Sequence, residues 1–178
     1  MHPSVMDFLR NEVKPGEIAG KAVLEVGSQD VNGSPREVLL QHKPGSYIGV
    51  DFAKGKGVDQ VLDVAKLEET FGAERFDVVI STEMLEHAKD WRVAIQQMKA
   101  VLKEEGLLIV TTRSKGFPYH GYPHDYWRYR IEHFQRIFSD MGILTLQNDP
   151  QFPGVFMKAW KTDVTGTANL AQIELDPV

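Results

Sequence analysis

Carboxylates lie at the ends of the first two predicted strands, and a glycine follows the first of them. Glu25 and Gly27 close the apolar run 22–26, and Asp51 closes the run 47–50 one helical segment later. The carboxyl ends of parallel strands meet at one edge of a sheet, where ligands bind. A carboxylate there can accept hydrogen bonds from both hydroxyls of a ribose, and a glycine lets backbone approach a ligand closely. The pattern predicts a pocket for a nucleoside-containing cofactor.

Strand and helix patterns alternate along the chain and must position these groups. Apolar strand patterns fall at 22–26, 47–50, 60–62, 76–80 and 107–110, with a further pair at 143–146 and 155–160. Helical spacing of apolar residues falls at 5–13, 34–41, 67–71, 91–102 and 131–141. The last two strands are too close together for a helical crossover and should pair antiparallel. The order predicts an α/β fold, a doubly wound Rossmann-like sheet of seven mostly parallel strands with an antiparallel C-terminal hairpin.

Length and composition limit the organisation and the partners. The 178 residues, 42% of them hydrophobic, suffice for one domain with a sizeable core, which we expect at residues 1–162. Residues 163–178 are small and polar without a periodic pattern, and are expected to form a flexible tail. The absence of cysteine excludes disulfides and thiolate metal sites. The net charge of −5 makes nucleic acid an unfavourable partner.

No apolar stretch in the sequence approaches the roughly 20 residues that a membrane span needs. The N-terminus also lacks a basic start followed by an apolar run. We therefore expect no membrane partner and a cytoplasmic location, and the sequence leaves the oligomeric state open.

Taken together, these motifs resemble the class I S-adenosylmethionine-dependent methyltransferases, in particular the methyltransferase type 11-like subgroup, over about residues 24–160. The segment 76–87 looks like the fourth-strand motif of that subgroup, which ends in Leu-Glu-His. The resemblance implies S-adenosylmethionine as the cofactor, with Asp51 on the ribose hydroxyls and Asp63 on the adenine amino group. One feature departs from the family, because Gly27 and Gly33 are separated by five residues where the family carries closely spaced glycines.

The cofactor-binding residues that we predict surround these strand ends. They are Glu25, Gly27, Ser28, Asp51, Phe52, Asp63, Val64 and Ser81. Glu25 could instead hydrogen-bond the glycine turn, and any single strand-end aspartate could cap a helix or turn.

His87 is the predicted catalytic residue. Imidazole titrates near neutral pH, and a hydroxyl or amine acceptor needs a base when it is methylated. The alternative is that His87 caps or packs the helix that follows.

An aromatic loop at 116–129 follows the fifth strand and contains six aromatic residues and two histidines. We predict that it contacts the methyl acceptor. The predicted substrate-binding residues are His120, His124, Asp125 and Tyr126. His120, His124 and Asp125 could instead hold a metal ion, although no metal is predicted, and Trp127 and Tyr129 are expected to pack the loop onto the domain.

The predicted function is S-adenosylmethionine-dependent methyl transfer to a small-molecule or saccharide acceptor, at oxygen or nitrogen. The Asp-Tyr-Trp-Arg stretch is similar to one found in methyltransferase-like proteins linked to glycan synthesis, which favours a saccharide. A non-catalytic S-adenosylmethionine-binding module is the main alternative. A nicotinamide-dependent oxidoreductase would need Gly-x-Gly-x-x-Gly after the first strand, and the chain lacks that spacing. Methylation of nucleobase amines is disfavoured because Ser-Thr-Glu-Met follows the fourth strand in place of an Asn/Asp-Pro-Pro-aromatic motif.

Overall fold

A computed structural model describes residues 2–121, 123–162 and 167–178. Tyr122 of the aromatic loop and residues 163–166 of the predicted tail lie outside the described residues. The α-helices are α1 (Pro3–Glu12), α2 (Pro15–Ile18), α3 (Arg36–Leu39), α4 (Leu67–Phe71), α5 (Trp91–Val101) and α6 (Ile131–Ile137). Short 3₁₀ helices cover Leu40–His42, Val64–Lys66, Leu85–His87 and Leu170–Gln172.

Within the described residues, nine strands form two sheets. The strands are β1 (Ala22–Val26), β2 (Ser46–Asp51), β3 (Gln60–Val61), β4 (Phe76–Thr82), β5 (Leu102–Arg113), β6 (Trp127–Arg128), β7 (Met141–Asn148), β8 (Gly154–Lys161) and β9 (Asp176–Pro177). The main sheet has the order β3-β2-β1-β4-β5-β8-β7, in which only the pairs β5–β8 and β8–β7 are antiparallel. The predicted seven-stranded sheet with its terminal hairpin is confirmed.

The strand order places a topological switch point between β1 and β4. From β1 the chain winds outward through β2 and β3, and from β4 it winds the other way to β5. Glu25 pairs with Gly49 of β2 on one side and with Ile80 of β4 on the other. Loops leaving the carboxyl ends of β1 and β4 therefore diverge and open a crevice, which is where ligands bind in open α/β sheets.

Apolar layers cover both faces of the main sheet. On one face, the buried side chains of α1 to α3, such as Phe8 and Leu39, pack on Val78 and Phe156. On the other face, α4, α5 and α6 pack on a larger cluster that contains Trp91. Helices on both faces explain why β4 is an almost continuous apolar run, since neither side of it meets water.

Several element boundaries differ from the expectation. The helix expected at 34–41 is one α-helical turn, Arg36–Leu39, continued as a 3₁₀ helix. Pro15 begins a separate short helix, α2, which was not expected; its fixed φ suits the first turn of a helix. The fifth strand begins at Leu102 rather than at residue 107.

The expected flexible tail is corrected for residues 167–178. Leu170, Ile173 and Leu175 are buried in the core cluster on the α5 and α6 face, and β9 pairs antiparallel with β6. The spacing of these three apolar residues follows neither helical nor strand periodicity. Apolar periodicity in the sequence therefore did not predict that this segment packs on the core.

Candidate cofactor and acceptor site

One cavity of about 700 Å³ lies at the carboxyl ends of the central strands. Its walls come from the ends of β1, β2 and β4, from the segment after β3, and from the aromatic loop. Of the predicted site residues, it gathers Glu25, Gly27, Asp51, Phe52, Asp63, Val64, His87, His120, His124 and Tyr126. Ser28, Ser81 and Asp125 are not part of its wall; all three are buried.

The glycine turn after β1 is tied to β2 and to the β4 end. The amides of Gly27 and Ser28 both donate to Val50 O, at 2.9 and 3.0 Å. Gly27 has φ of 81°, and a Cβ added there would lie 2.6 Å from Met84 Cβ. Only glycine fits this conformation and this contact without strain.

Asp51 ends β2 with its carboxylate at the cavity wall. Its two oxygens accept from the amides of Gln29, at 3.1 Å, and Ala53, at 3.3 Å. These bonds fix the rotamer and leave lone pairs, because each carboxylate oxygen can accept more than one hydrogen bond. Phe52, whose exposed fraction is 58%, stands beside it as an apolar ring at the cavity.

Asp63 caps a short helix, which is the alternative role considered from the sequence, and it also lies at the cavity. Its Oδ1 accepts from Ala65 N at 2.9 Å and caps the 3₁₀ helix Val64–Lys66. Asp63 and Val64 also line the cavity. The cap orients the carboxylate without using all of its acceptor capacity.

Glu25 lies at the back of the cavity among polar side chains. Its carboxylate accepts from Tyr47 Oη at 2.8 Å and from Ser34 Oγ at 3.4 Å, and Arg36 Nε is 3.9 Å away. Burial raises the pKa of Glu25 to about 7, because these partners only partly offset the desolvation of the charge. Glu25 can therefore change protonation state near neutral pH.

His87, which follows β4 in the chain, is held by a contact with the aromatic loop. Its Nδ1 lies 2.6 Å from the backbone oxygen of His124. A carbonyl can only accept, so Nδ1 carries the hydrogen in the neutral ring and Nε2 keeps a lone pair. This is the tautomer that a proton acceptor in the cavity requires.

His120 faces a buried carboxylate that the sequence reasoning did not assign. Its Nε2 is 3.6 Å from Glu86 Oε1, and the other oxygen of Glu86 accepts from Thr112 Oγ1 at 2.8 Å. The interaction with Glu86 raises the pKa of His120, against the opposing effect of burial. The ligand atoms of Glu86, His87 and His120 lie within 4.8 Å of one another, so these three residues could also hold a metal ion.

Asp125 organises the loop instead of facing the cavity. It accepts two bonds from the guanidinium of Arg128, at 2.6 and 2.7 Å, and one from His120 N at 2.9 Å. Burial opposes ionisation, but the bonds from Arg128 and His120 prevail and lower the pKa of Asp125. As predicted, the loop packs through Trp127 and Tyr129, the latter with no exposed surface.

A second buried charge network underlies the β4 end. Arg113 pairs with Glu83, which lines the cavity, and with Asp149, at 3.0 Å. Asp149 also accepts from Ser4 Oγ at 2.9 Å, which ties the network to α1. In the sequence analysis Glu83 belongs to the segment 76–87 and to the Ser-Thr-Glu-Met stretch, and it was given no role of its own. Its polarity at the end of an apolar strand was the available signal.

The fold and the cavity together define a class. A doubly wound sheet with an antiparallel hairpin, and with carboxylates at the ends of β1, β2 and β3 around one crevice, binds a nucleoside-containing cofactor. Residues 4–145 match the family described as "Methyltransferase domain". The chain belongs to this family, which confirms the class predicted from the sequence, the class I S-adenosylmethionine-dependent methyltransferases.

Curated relatives and solved structures agree with this membership. The chain is 32% identical over 130 residues to a ubiquinone biosynthesis O-methyltransferase of Actinobacillus pleuropneumoniae serotype 7, covering 63% of this chain and 53% of the relative. It is 33% identical over 118 residues to the mitochondrial ubiquinone biosynthesis O-methyltransferase of Rattus norvegicus, covering 57% and 33%. The chain thus spans between a third and about half of the length of these relatives.

Among solved structures, the fold is similar to that of 1,6-didemethyltoxoflavin-N1-methyltransferase from Burkholderia thailandensis, with bound S-adenosylhomocysteine. The TM-score is 0.71 at 15% identity, over 89% of this chain and 78% of that one. An S-adenosylmethionine-dependent methyltransferase from Mesorhizobium loti gives a TM-score of 0.63 at 13% identity, over 89% and 98%. Within the described residues, no helix is both long and apolar enough to cross a membrane.

Proposed function

We propose that this protein transfers a methyl group from S-adenosylmethionine to an oxygen of a small-molecule acceptor, such as a phenol or a saccharide hydroxyl. The observation that carries the proposal is the division of one cavity into two chemically different walls. Among the described lining residues, the β1–β3 side has carboxylates and no histidine, whereas the side of β4 and the aromatic loop has three histidines beside Glu83 and Asp90. Relatives named as O-methyltransferases support oxygen as the acceptor atom.

The carboxylate wall, which we call the cofactor wall, fits the cofactor. Asp51 offers lone pairs on an oriented, nearly buried carboxylate, which suits a ribose diol. Asp63 offers an acceptor for an adenine amino group, and Phe52 an apolar face beside it. Glu25 would favour a cationic ammonium, since that charge would stabilise its ionised form.

The histidine wall, which we call the acceptor wall, binds the acceptor and takes up its proton. When bound against Asp51 and Asp63, S-adenosylmethionine would supply a methyl group activated by its sulfonium charge, with the neutral thioether as the leaving group. His87 Nε2 accepts the hydroxyl proton as the new C–O bond forms, so that no free alkoxide is needed. His120, whose pKa Glu86 raises, is held with its ring nitrogens towards Glu86 and Asp125, and its ring shapes the acceptor side of the cavity. The remaining task is alignment and exclusion of water.

Calorimetric titration with S-adenosylmethionine and S-adenosylhomocysteine tests the cofactor wall. Asp51→Ala should weaken both by about 30-fold or more, because two hydrogen bonds to a charged group are lost. Glu69→Ala, which removes an exposed carboxylate of α4 outside the cavity, should leave affinity unchanged. Equal binding to wild type and Asp51→Ala would contradict the ribose assignment, and binding of NAD alone would favour an oxidoreductase.

Formation of S-adenosylhomocysteine in the presence of phenols, free and nucleotide-linked saccharides, and amines tests the acceptor. His87→Ala should lower kcat by about 10²–10⁴ with unchanged S-adenosylhomocysteine affinity. Methylation of amines alone would refute the oxygen acceptor. Cofactor binding without turnover on any of these compounds would favour a non-catalytic binding module.

A further inference from the structure

We infer that residues 167–178 are a positioning element for the acceptor side of the cavity, which they hold in place through β9, β6 and Arg128. The inference rests on the proposed acceptor role of the aromatic loop. This segment is the part of the chain that was predicted from the sequence to be a flexible tail.

The segment is anchored on the α5 and α6 face, by residues that are not part of the cavity wall. Arg92 of α5 donates to Leu170 O at 2.9 Å and to Ile173 O at 2.6 Å. Arg136 of α6 donates to Gln172 O at 2.9 Å. Together with the buried side chains of Leu170, Ile173 and Leu175, these bonds fix the segment before it reaches the loop.

From this anchor, β9 runs along β6. Asp176 pairs with Arg128, and Pro177 with Trp127. Val178 N donates to Tyr126 O at 3.1 Å. At the other end of the β6–β9 pairing, Arg130 donates from Nε and Nη2 to the carboxylate of Asp176, at 2.7 and 2.6 Å, and forms a bidentate ion pair.

Arg128 transmits this placement to the loop. Its backbone belongs to β6, while its buried guanidinium donates to the carbonyls of Phe117 and Pro118, at 3.3 and 3.2 Å. The same guanidinium makes the two bonds to Asp125, which in turn accepts from His120 N. The rigid, planar guanidinium of Arg128 thus fixes the loop at Phe117 and Pro118 and again at Asp125.

The cavity residues affected are those of the acceptor wall. Tyr126 lines the cavity directly before β6, and its amide donates to Glu86 O at 2.9 Å. His120 is held next to Glu86 by the Asp125 contact. No described contact of residues 167–178 reaches Gly27, Asp51 or Asp63. Loosening the segment should therefore affect the acceptor wall and spare the cofactor wall.

The test combines Val178→Pro with Asp176→Ala. Proline lacks the N–H that bonds Tyr126, and alanine removes the ion pair with Arg130. Val178→Ala is the matched control, because it keeps the N–H and changes only a half-exposed side chain. A variant ending at residue 166 removes the whole element, and the double variant decides the matter if that chain does not fold.

Two readouts separate this inference from the proposed function, and neither needs turnover. Hydrogen–deuterium exchange should accelerate about tenfold at the amides of residues 117–126 in the double variant, and stay unchanged at residues 22–63. The S-adenosylhomocysteine Kd should stay within about twofold of wild type, as its wall is not touched. Where the acceptor panel yields turnover, KM for the acceptor should rise more than kcat falls.

Asp176→Glu in the presence of Val178→Ala should restore wild-type exchange, because it retains both contacts. Unchanged exchange at 117–126 in the double variant would overturn the inference. An equal increase at 22–63, or a matching loss of S-adenosylhomocysteine affinity, would also overturn it, since the segment would then stabilise the whole domain.

Discussion

Replacing Glu25 by glutamine is predicted to make this protein more stable at alkaline pH and to leave its stability nearly unchanged at acidic pH. The side chain is almost fully buried, and its pKa rises from 4.5 to about 7 because burial penalises the charge. The hydrogen bond from Tyr47 and the charge of Arg36 favour the ionised form, but they do not compensate.

The sign and the size of this pH dependence follow from the linkage between proton binding and folding. A carboxyl whose pKa is higher in the folded state contributes its full stability below about pH 4.5, and loses it as the pH rises through about 7. A displacement from 4.5 to about 7 corresponds to about 3 kcal/mol, at about 1.4 kcal/mol for each tenfold change in acidity. The glutamine stays neutral and avoids this cost.

Urea unfolding of wild type and Glu25→Gln between pH 4.5 and 8.5 measures the effect. Every other titrating group is present in both proteins, so the difference between their free energies of unfolding isolates Glu25. It should grow by about 3 kcal/mol in favour of the variant, mostly between pH 5 and 7.5. Tyr47→Phe is the matched control, since removal of that hydrogen bond should extend the loss of stability to higher pH.

A difference that does not change with pH would refute the reasoning. So would a difference that changes in favour of wild type as the pH rises, because Arg36 would then hold Glu25 ionised in the folded state.

Two further substitutions test the geometry on either side of the cavity. In thermal unfolding, Gly27→Ala should destabilise the protein by about 1–2 kcal/mol because of the positive φ, and by more because the added Cβ would contact Met84. Gly16→Ala is the control: no atom lies near its added Cβ, so it should be neutral or stabilising. Arg128→Lys should cost about 3 kcal/mol in urea unfolding, because an ammonium cannot make both bonds to buried Asp125; a loss below 0.5 kcal/mol, roughly that of an ordinary surface change, would refute that pairing.

The cofactor wall could be predicted because its signals are local. Apolar runs mark the strands, and the residue that ends each run is placed at the ligand edge by the parallel order alone. Asp51 and Asp63 followed directly from this rule, as did Gly27 from the turn after β1. The rule cannot distinguish a residue that lines the cavity from a buried neighbour. Ser28 and Ser81 are such neighbours and do not line the cavity.

The acceptor wall was decided by the tertiary structure. His120 was predicted as a contact, but its partner Glu86 lies 34 residues earlier, and the pair forms only because the loop folds back over β4. Likewise, the tail meets β6 about 50 residues before it in the chain.

The sequence by itself determined the sheet, its hairpin and the strand ends that line the cavity, and from these we predicted the class of cofactor. These depend on periodicity and on strand ends, which every short stretch of chain carries within itself. Only the tertiary structure determined which charges share a buried space and which segment braces the loop. Such contacts join residues with no common local pattern, and their energies arise from the burial that folding brings.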